Sequence, residues 1–108
     1  MFCYIPSIIS ELYKTDEYTT IAADDSMSPK IKNGDIVYCQ PNIKINNGNI
    51  VHFSFDNQSG FRKYFINEDQ TIISLIPINP KYETIVINHS DNYKLLIAKV
   101  TGKIDKNF

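Results

Sequence analysis

Two strands and the turn between them are encoded by residues 49–66, NIVHFSFDNQSGFRKYFI. Val51 and Phe53 occupy alternate positions in the first half, and a repeat of two is the period of a β-strand. The polar run at 57–60 is typical of a hairpin turn, and it leads into a second apolar strand at 61–66. The stretch therefore predicts a β-hairpin.

Short strand patterns at hairpin spacing fill most of the remaining chain. The further predicted strands cover residues 18–23, 35–40, 71–76, 83–87 and 93–102. Helix signals are sparse, with two turns predicted at 7–14 and one turn at 28–32. We therefore expect a mainly β fold, a small coiled or barrel-like sheet with one or two short helical turns.

Length and composition predict one small domain. The chain has 108 residues, of which 43% are hydrophobic and 21% charged, as in an average soluble domain. We expect a single domain over residues 1–108, with an N-terminal arm at 1–17 and the folded body at 18–104. No apolar run approaches the ~18 residues of a membrane span, and no signal peptide is evident. These features predict a cytoplasmic protein without a membrane segment.

Charge and cysteine content argue against several classes of function. The net charge of −1 comes from 11 basic and 12 acidic residues, so we expect no direct contact of this chain with nucleic acid. Two cysteines, Cys3 and Cys39, are too few for a disulfide framework or a zinc site. Cys39 alternates with apolar residues and is expected to be a small buried hydrophobe. We find no metal or cofactor motif in the sequence.

The strongest signal for chemistry is a serine at the end of a predicted strand, in the run Asp24-Asp25-Ser26-Met27-Ser28-Pro29. A turn beginning there would present the hydroxyl of Ser26 together with backbone N–H groups that have no partner within the turn. An acyl-transfer nucleophile needs both. A serine before a helical turn is also a common N-cap, so the pattern alone leaves both roles open.

A nucleophilic serine needs a base, and the two histidines are poor candidates. His52 lies inside a predicted strand and His89 in a polar turn, and neither has an acidic residue at a suggestive spacing. Both are better interpreted as surface or core residues. A Ser-His-Asp site is therefore disfavoured.

Lysine is the other candidate for the base. Lys63 lies between Phe61 and Phe65 on one face of a predicted strand, where desolvation would lower its pKa. A neutral amine can accept the proton of a serine. The adjacent Arg62 cannot, because a guanidinium stays protonated. A solvent-exposed strand lysine is the alternative interpretation of Lys63.

Two further motifs accompany the serine and the lysine, Gly-Asp-Ile-Val at 34–37 and Asn-Pro-x-Tyr at 79–82. In the order Asp-Ser-Met-x-Pro, Gly-Asp-Ile-Val, strand lysine and Asn-Pro-x-Tyr, the sequence resembles the LexA-type repressor peptidase domain, which is also found in phage lambda-type repressors and UmuD-like mutagenesis proteins. The resemblance runs from about Ile21 to Gly102. The residues that carry it are Ser26, Met27, Pro29, Gly34, Asp35, Lys63, Asn79, Pro80 and Tyr82.

The resemblance implies a self-cleaving serine peptidase with Ser26 as nucleophile and Lys63 as general base. The N–H groups of Ser26 and Met27 would then stabilise the oxyanion. The remaining residues of the motif would have structural roles and no catalytic ones; they are Pro29, Gly34, Asp35, Asn79, Pro80 and Tyr82.

In that family the domain also pairs repressor subunits. Cleavage, stimulated by the RecA filament on single-stranded DNA, separates it from a helix-turn-helix domain that binds DNA. We therefore expect the autoproteolytic and dimerisation domain of a phage-type or SOS-type transcriptional repressor, active as a homodimer. Residues 93–102 are expected to supply an unpaired strand as the dimer edge.

The chain departs from the family pattern in two ways. Asp24 stands where members often carry glycine, and its charge would favour the protonated form of Lys63. Residues 1–25 contain no glycine, so we expect the usual Ala-Gly or Cys-Gly cleavage bond to be missing, along with the helix-turn-helix domain. The chain is then expected to be an excised domain, a cleaved fragment or a short stand-alone relative.

Two other functions remain open. A catalytically silent dimerisation or regulatory module would keep the fold without proteolysis, and the two departures favour it. A relative of type I signal peptidases would share the Ser-Met-x-Pro motif and the serine–lysine chemistry. Those enzymes are anchored by a membrane helix, which this sequence does not show.

Overall fold

In the computed structural model, which describes residues 17–88 and 94–104, every regular element is a β-strand. The strands are β1 (Tyr18–Ile21), β2 (Ile36–Gln40), β3 (Ile50–Phe55), β4 (Gln58–Ile66), β5 (Ile72–Ile76), β6 (Ile85–Asn88) and β7 (Leu95–Ile104). They form one antiparallel sheet in the order β1-β2-β7-β3-β4-β5-β6, curled into a half-barrel. The prediction of a mainly β fold is confirmed.

The hairpin between β3 and β4 is tighter than predicted. Its two central residues, Asp56 and Asn57, have φ values of 49° and 65°. Positive φ at both positions defines the turn that matches the twist of paired strands, and Asp and Asn tolerate this conformation better than most residues. Pairing resumes at once between Phe55 and Gln58, so the predicted turn at 57–60 is wrong.

The one turn predicted at 28–32 is observed, displaced by one residue to 27–31. The amides of Lys30 and Ile31 donate to the carbonyl of Met27 at 2.9 and 3.0 Å. The peptide bond between Ser28 and Pro29 is cis. The predicted turns at 7–14, and nearly all of the predicted arm at 1–17, lie outside the described residues.

Each face of the sheet carries its own hydrophobic cluster. Alternation along β4 sends Tyr64 to one face and Phe61 to the other. The first cluster consists of Val51, Phe53, Tyr64, Ile73, Leu75, Ile87, Leu95 and Ile97. The second consists of Ala22, Met27, Ile31, Val37, Cys39, Phe61 and Ala98. The segment that carries Ser26 packs on the second face.

Strand β7 lies inside the sheet and not at its edge. It pairs with β2 on one side and with β3 on the other. Residues 95–99 pair with β3, and residues 99, 100 and 102–104 pair with β2. The expectation of an unpaired strand is therefore wrong for the described part of residues 93–102, while a role of this stretch in a dimer stays a prediction. Among the described strands, β1 and β6 form the edges.

No helix long and apolar enough to cross a membrane occurs within residues 17–88 and 94–104.

Candidate active site

Ser26 lies in a turn, residues 24–31, that follows β1 and that we call the serine turn. Met27 anchors this turn, because its side chain is only 1% exposed and packs with Ile31 and Phe61 in the second cluster. Ser26 is also 1% exposed. The serine turn therefore presents its hydroxyl to the sheet and not to solvent.

A second segment, residues 79–82, holds the serine turn in place; we call it the clamp. The amide of Asn79 donates to the carbonyl of Ser26 at 2.9 Å, and Asn79 Nδ2 donates to the carbonyl of Asp25 at 3.2 Å. The amide of Asp25 donates to the hydroxyl of Tyr82 at 3.3 Å. The amide of Tyr82 closes the clamp on the carbonyl of Asn79 at 3.1 Å. Pro80 is an exposed member of this turn.

Gly34 and Asp35 tie the far end of the serine turn to the sheet. Gly34 has φ of 93°, a conformation that favours glycine, and its amide donates to the carbonyl of Ala22 at 2.7 Å. Asp35 Oδ2 accepts the amide of Lys32 at 2.8 Å and Nζ of Lys103 at 3.1 Å. Both residues thus fix the backbone that leads into β2.

The Ser26 hydroxyl meets β4 just beyond the end of β5. The amide and carbonyl of Tyr64 bond to Asn49 and Gly48 on the β3 side, so the backbone groups of Phe61 point toward β5. Strand β5 pairs with β4 only from Lys63 onward. The Phe61 carbonyl therefore lies past the end of β5, where the Ser26 hydroxyl donates to it at 3.4 Å. This is long for a hydroxyl hydrogen bond.

The same carbonyl accepts a second hydrogen bond, from Arg62. Arg62 Nη1 donates to the Phe61 oxygen at 2.8 Å, and the residue is only 8% exposed. Its guanidinium lies 5.6 Å from the ring centre of Phe53 and 5.9 Å from that of Tyr82, both within cation–π range. A buried arginine therefore shares the acceptor of the candidate nucleophile.

Burial and nearby charge act on Arg62 in opposite directions. Desolvation lowers the pKa of its guanidinium, while Asp24 and Tyr82 raise it electrostatically. Arginine stays protonated in proteins, so the group remains a cation. Its Nε is buried and has no hydrogen-bond partner within the described part of the chain.

Asp24 binds the backbone group that was predicted to stabilise an oxyanion. The amide of Ser26 donates to Asp24 Oδ1 at 2.9 Å. An amide held by a carboxylate cannot also receive an oxyanion at full strength, and the carboxylate repels a second negative charge. The N–H of Met27 as a second oxyanion donor stays a prediction.

Lys63 follows Arg62 on β4 and points to the opposite face, the face of Phe61. It is half-buried and lies opposite Ile50 on β3 and Ile76 on β5. The hydrogen bonds described for the hydroxyl and amide of Ser26 go to Phe61 and Asp24. The Ser26–Lys63 dyad therefore stays a prediction.

The other reactive side chains considered from the sequence have structural surroundings. His52 Nδ1 is hydrogen-bonded to the hydroxyl of Tyr18 at 2.7 Å, its ring lies 5.0 Å from that of Phe61, and burial lowers its pKa. Cys39 is fully buried, and burial raises the pKa of its thiol to about 11. His89 lies outside the described residues. No group of three residues able to hold a metal ion is found within the described ranges.

From the sequence, Arg62 was considered only as a possible base, was rejected because a guanidinium stays protonated, and was not placed in the site. A signal was present in Asp24, because a partly buried acid beside a serine needs a compensating cation. Strand alternation also puts Arg62 on the face of Phe53 and Tyr64, which is the face of the first cluster. These features indicate that Arg62 is buried, whereas its place beside Ser26 follows only from the Phe61 carbonyl that both side chains contact.

Comparison with known proteins agrees with this architecture. A family model described as Peptidase S24-like matches residues 6–101. The LexA repressor of Citrifermentans bemidjiense is 26% identical over 85 residues, which cover 79% of this chain and 41% of the repressor. The LexA repressor of Carboxydothermus hydrogenoformans is 29% identical over 84 residues, which cover 78% and 38% of the two chains.

The chain thus spans about two fifths of the length of the curated relatives it matches. The family model covers well over half of the chain, in the region that contains the serine turn, β4 and the clamp. The protein belongs to the Peptidase S24-like family.

Proposed function

We propose that this chain is the regulatory domain of a LexA-like transcriptional repressor, and that it acts by pairing subunits without cutting itself. Its membership of the Peptidase S24-like family and its likeness to two LexA repressors support the regulatory role. With a net charge of −1, this domain is not expected to bind DNA by itself. A separate helix-turn-helix domain would bind the operator.

The observation that carries the silent function is the Phe61 carbonyl shared by Ser26 and Arg62. A general base has to lie within ~2.6–3.2 Å of the proton that it removes. An amide carbonyl is not such a base, and a guanidinium has no lone pair to offer. Ser26 in this setting donates a weak hydrogen bond and keeps its proton.

A chimera tests the proposal directly. The DNA-binding domain and linker of a LexA repressor, including its own cleavage bond, would be fused in front of residues 1–108. We expect the chimera to stay intact at pH 10, where deprotonated lysine favours self-cleavage in the family, and to sediment as a dimer. The parent LexA repressor, cut under the same conditions, is the positive control. A chimera that remains monomeric or is cut would contradict the proposal.

Autoproteolysis by Ser26 and Lys63 is the second candidate function. Lys63 is half-buried and shares the face of Phe61, whose ring packs in the same cluster as Met27 of the serine turn. Under this function the chimera would be cut at alkaline pH or with the RecA filament on single-stranded DNA. Ser26→Ala and Lys63→Ala would each abolish the cut, whereas Arg62→Ala would not.

A further inference from the structure

Two residues of opposite charge bind at two positions around Ser26, its own amide and the carbonyl that its hydroxyl contacts. Asp24 accepts the Ser26 amide at 2.9 Å. Arg62 binds the Phe61 oxygen at 2.8 Å, next to the Ser26 hydroxyl. One position would have to stabilise an oxyanion, and the other would have to remove a proton.

At the first position, Asp24 acts as an internal substitute for the oxyanion. Its carboxylate carries the same charge as a tetrahedral intermediate and already holds the N–H that such an intermediate would need. Loss of one oxyanion donor in a serine peptidase lowers the rate by about 10²–10³-fold. Asp24 is therefore sufficient to suppress a large part of acyl transfer.

At the second position, Arg62 places a permanent cation where a neutral amine would be required. A positioned general base contributes about 10²–10⁴-fold to the rate. The side chain is unusually costly to bury, since its Nε has no hydrogen-bond partner among the described residues. Packing against Phe53 and Tyr82 keeps it at this place.

The two charges depend on each other. Asp24 acts electrostatically on Arg62 and favours its charged form. Neutralising either residue alone leaves the other charge partly or wholly buried without its counterpart, which is unfavourable. The pair is thus expected to behave as one unit, with a combined effect larger than the product of the single effects.

We infer that Asp24 and Arg62 form a charge pair that plugs the peptidase-type site, and that replacing both together makes Ser26 a nucleophile. The inference rests on the proposed silent function and assigns it to these two residues. The replacements are Asp24→Gly, which frees the Ser26 amide, and Arg62→Lys, which supplies a titratable amine. Both remove atoms beside Ser26, so the site also gains room.

The test is covalent labelling of the 108-residue chain with a small fluorophosphonate. Ser26 Oγ forms a bond to phosphorus as the P–F bond breaks, fluoride leaves, and the proton of the hydroxyl passes to the base. We expect the double variant to be labelled at Ser26 at least ~100-fold faster than the wild type, from the contribution of a general base. Its rate should rise with pH as the introduced lysine loses its proton, and mass spectrometry of peptides locates the adduct.

Three controls separate the outcomes. Lys63→Ala in the double variant should leave labelling unchanged, and Ser26→Ala should abolish it. Ser26→Cys in both backgrounds, alkylated with iodoacetamide, measures access to position 26. The decisive case is a folded double variant in which iodoacetamide reaches position 26 at least as fast as in the wild type, yet Ser26 is labelled no faster. This result would overturn the charge-pair inference and leave the silent function standing. Rapid labelling of the wild type at Ser26 would instead overturn the silent function itself.

Discussion

The serine turn differs in how it is held from Phe61 and Arg62, the part of β4 that lies past the end of β5 and that we call the open end of β4. The serine turn is fixed by neutral hydrogen bonds to the clamp and by Met27 in the second cluster. The open end of β4 carries the buried guanidinium of Arg62, whose Nε has no hydrogen-bond partner among the described residues. Under the proposed silent function, the scaffold that presents Ser26 is kept, while the guanidinium on the Phe61 carbonyl cannot serve as a base. Scaffold and chemistry are separable in this fold.

The largest effect is expected on the strand side, from Phe53→Ala. Phe53 is 2% exposed, belongs to the first cluster and lies against the Arg62 guanidinium. Truncation of a buried phenylalanine costs about 3–5 kcal/mol, and here it also removes one of the rings that hold Arg62. Urea unfolding measures the free energy of unfolding. Val86→Ala, at a position 63% exposed, is the control and should stay within about 0.5 kcal/mol of the wild type.

A smaller loss is expected on the turn side, from Asn79→Ala. The substitution removes the hydrogen bond from Nδ2 to the Asp25 carbonyl and the one that Oδ1 accepts from the Lys81 amide. At roughly 1 kcal/mol for each net hydrogen bond, the variant should lose about 1–2 kcal/mol. Asn79→Asp keeps the acceptor and should lose about half as much. Equal stability of all three proteins would show that the Asn79 side chain does not help to hold the serine turn.

The strands were predictable from sequence because the alternation of residues such as Val51 and Phe53 depends only on local geometry. The exact turn was not predictable, because residues that favour turns recur from Asp56 to Gly60. The predicted turn at 57–60 therefore began one residue after Asp56, the first central residue of the observed turn. The place of β7 between β2 and β3 depends on long-range pairing, which alternation does not encode.

The candidate site was predictable only in part, for a related reason. Ser26 at a strand end is a local feature, and it was identified from the sequence. Whether Arg62 or Lys63 accompanies it depends on where β5 ends and on which backbone groups of β4 face that gap. These are properties of the assembled sheet, and adjacent residues of a strand have opposite surroundings.

The pH dependence of the free energy of unfolding tests the role of His52, a half-buried residue on the second face. Burial lowers the pKa of His52, so the unfolded chain binds a proton more readily than the folded one. Stability is therefore unaffected at high pH and falls as the pH drops through the unfolded value of about 6.5. The slope from this one proton cannot exceed about 1.4 kcal/mol per pH unit. His52→Gln should show a shallower decrease between pH 7 and 5 in urea unfolding; equal slopes would exclude His52 as the cause.

The smallest effect concerns the reactivity of Cys39, which reports on the cluster that anchors the serine turn. Its thiol is buried, with a pKa raised to about 11, so little thiolate exists near neutral pH. In a Cys3→Ser background, an aromatic disulfide reagent should modify Cys39 only as fast as the protein opens. Dilute urea should accelerate the reaction. Modification within seconds in native buffer would show that this side of the sheet is loosely packed.

The central claim is that Arg62, and not Lys63, accompanies Ser26. Its most direct test is a crystal structure of the chain at a resolution that defines the side chains of Arg62 and Lys63. We predict that Arg62 Nη1 and the Ser26 hydroxyl will both lie on the Phe61 carbonyl, with the Ser26 amide on Asp24. Lys63 is then expected to remain on the face of Phe61, opposite to Arg62, and out of hydrogen-bond distance of Ser26. A structure with Lys63 Nζ within ~3.2 Å of Ser26 Oγ and Arg62 turned away would contradict the account and support a working serine–lysine dyad.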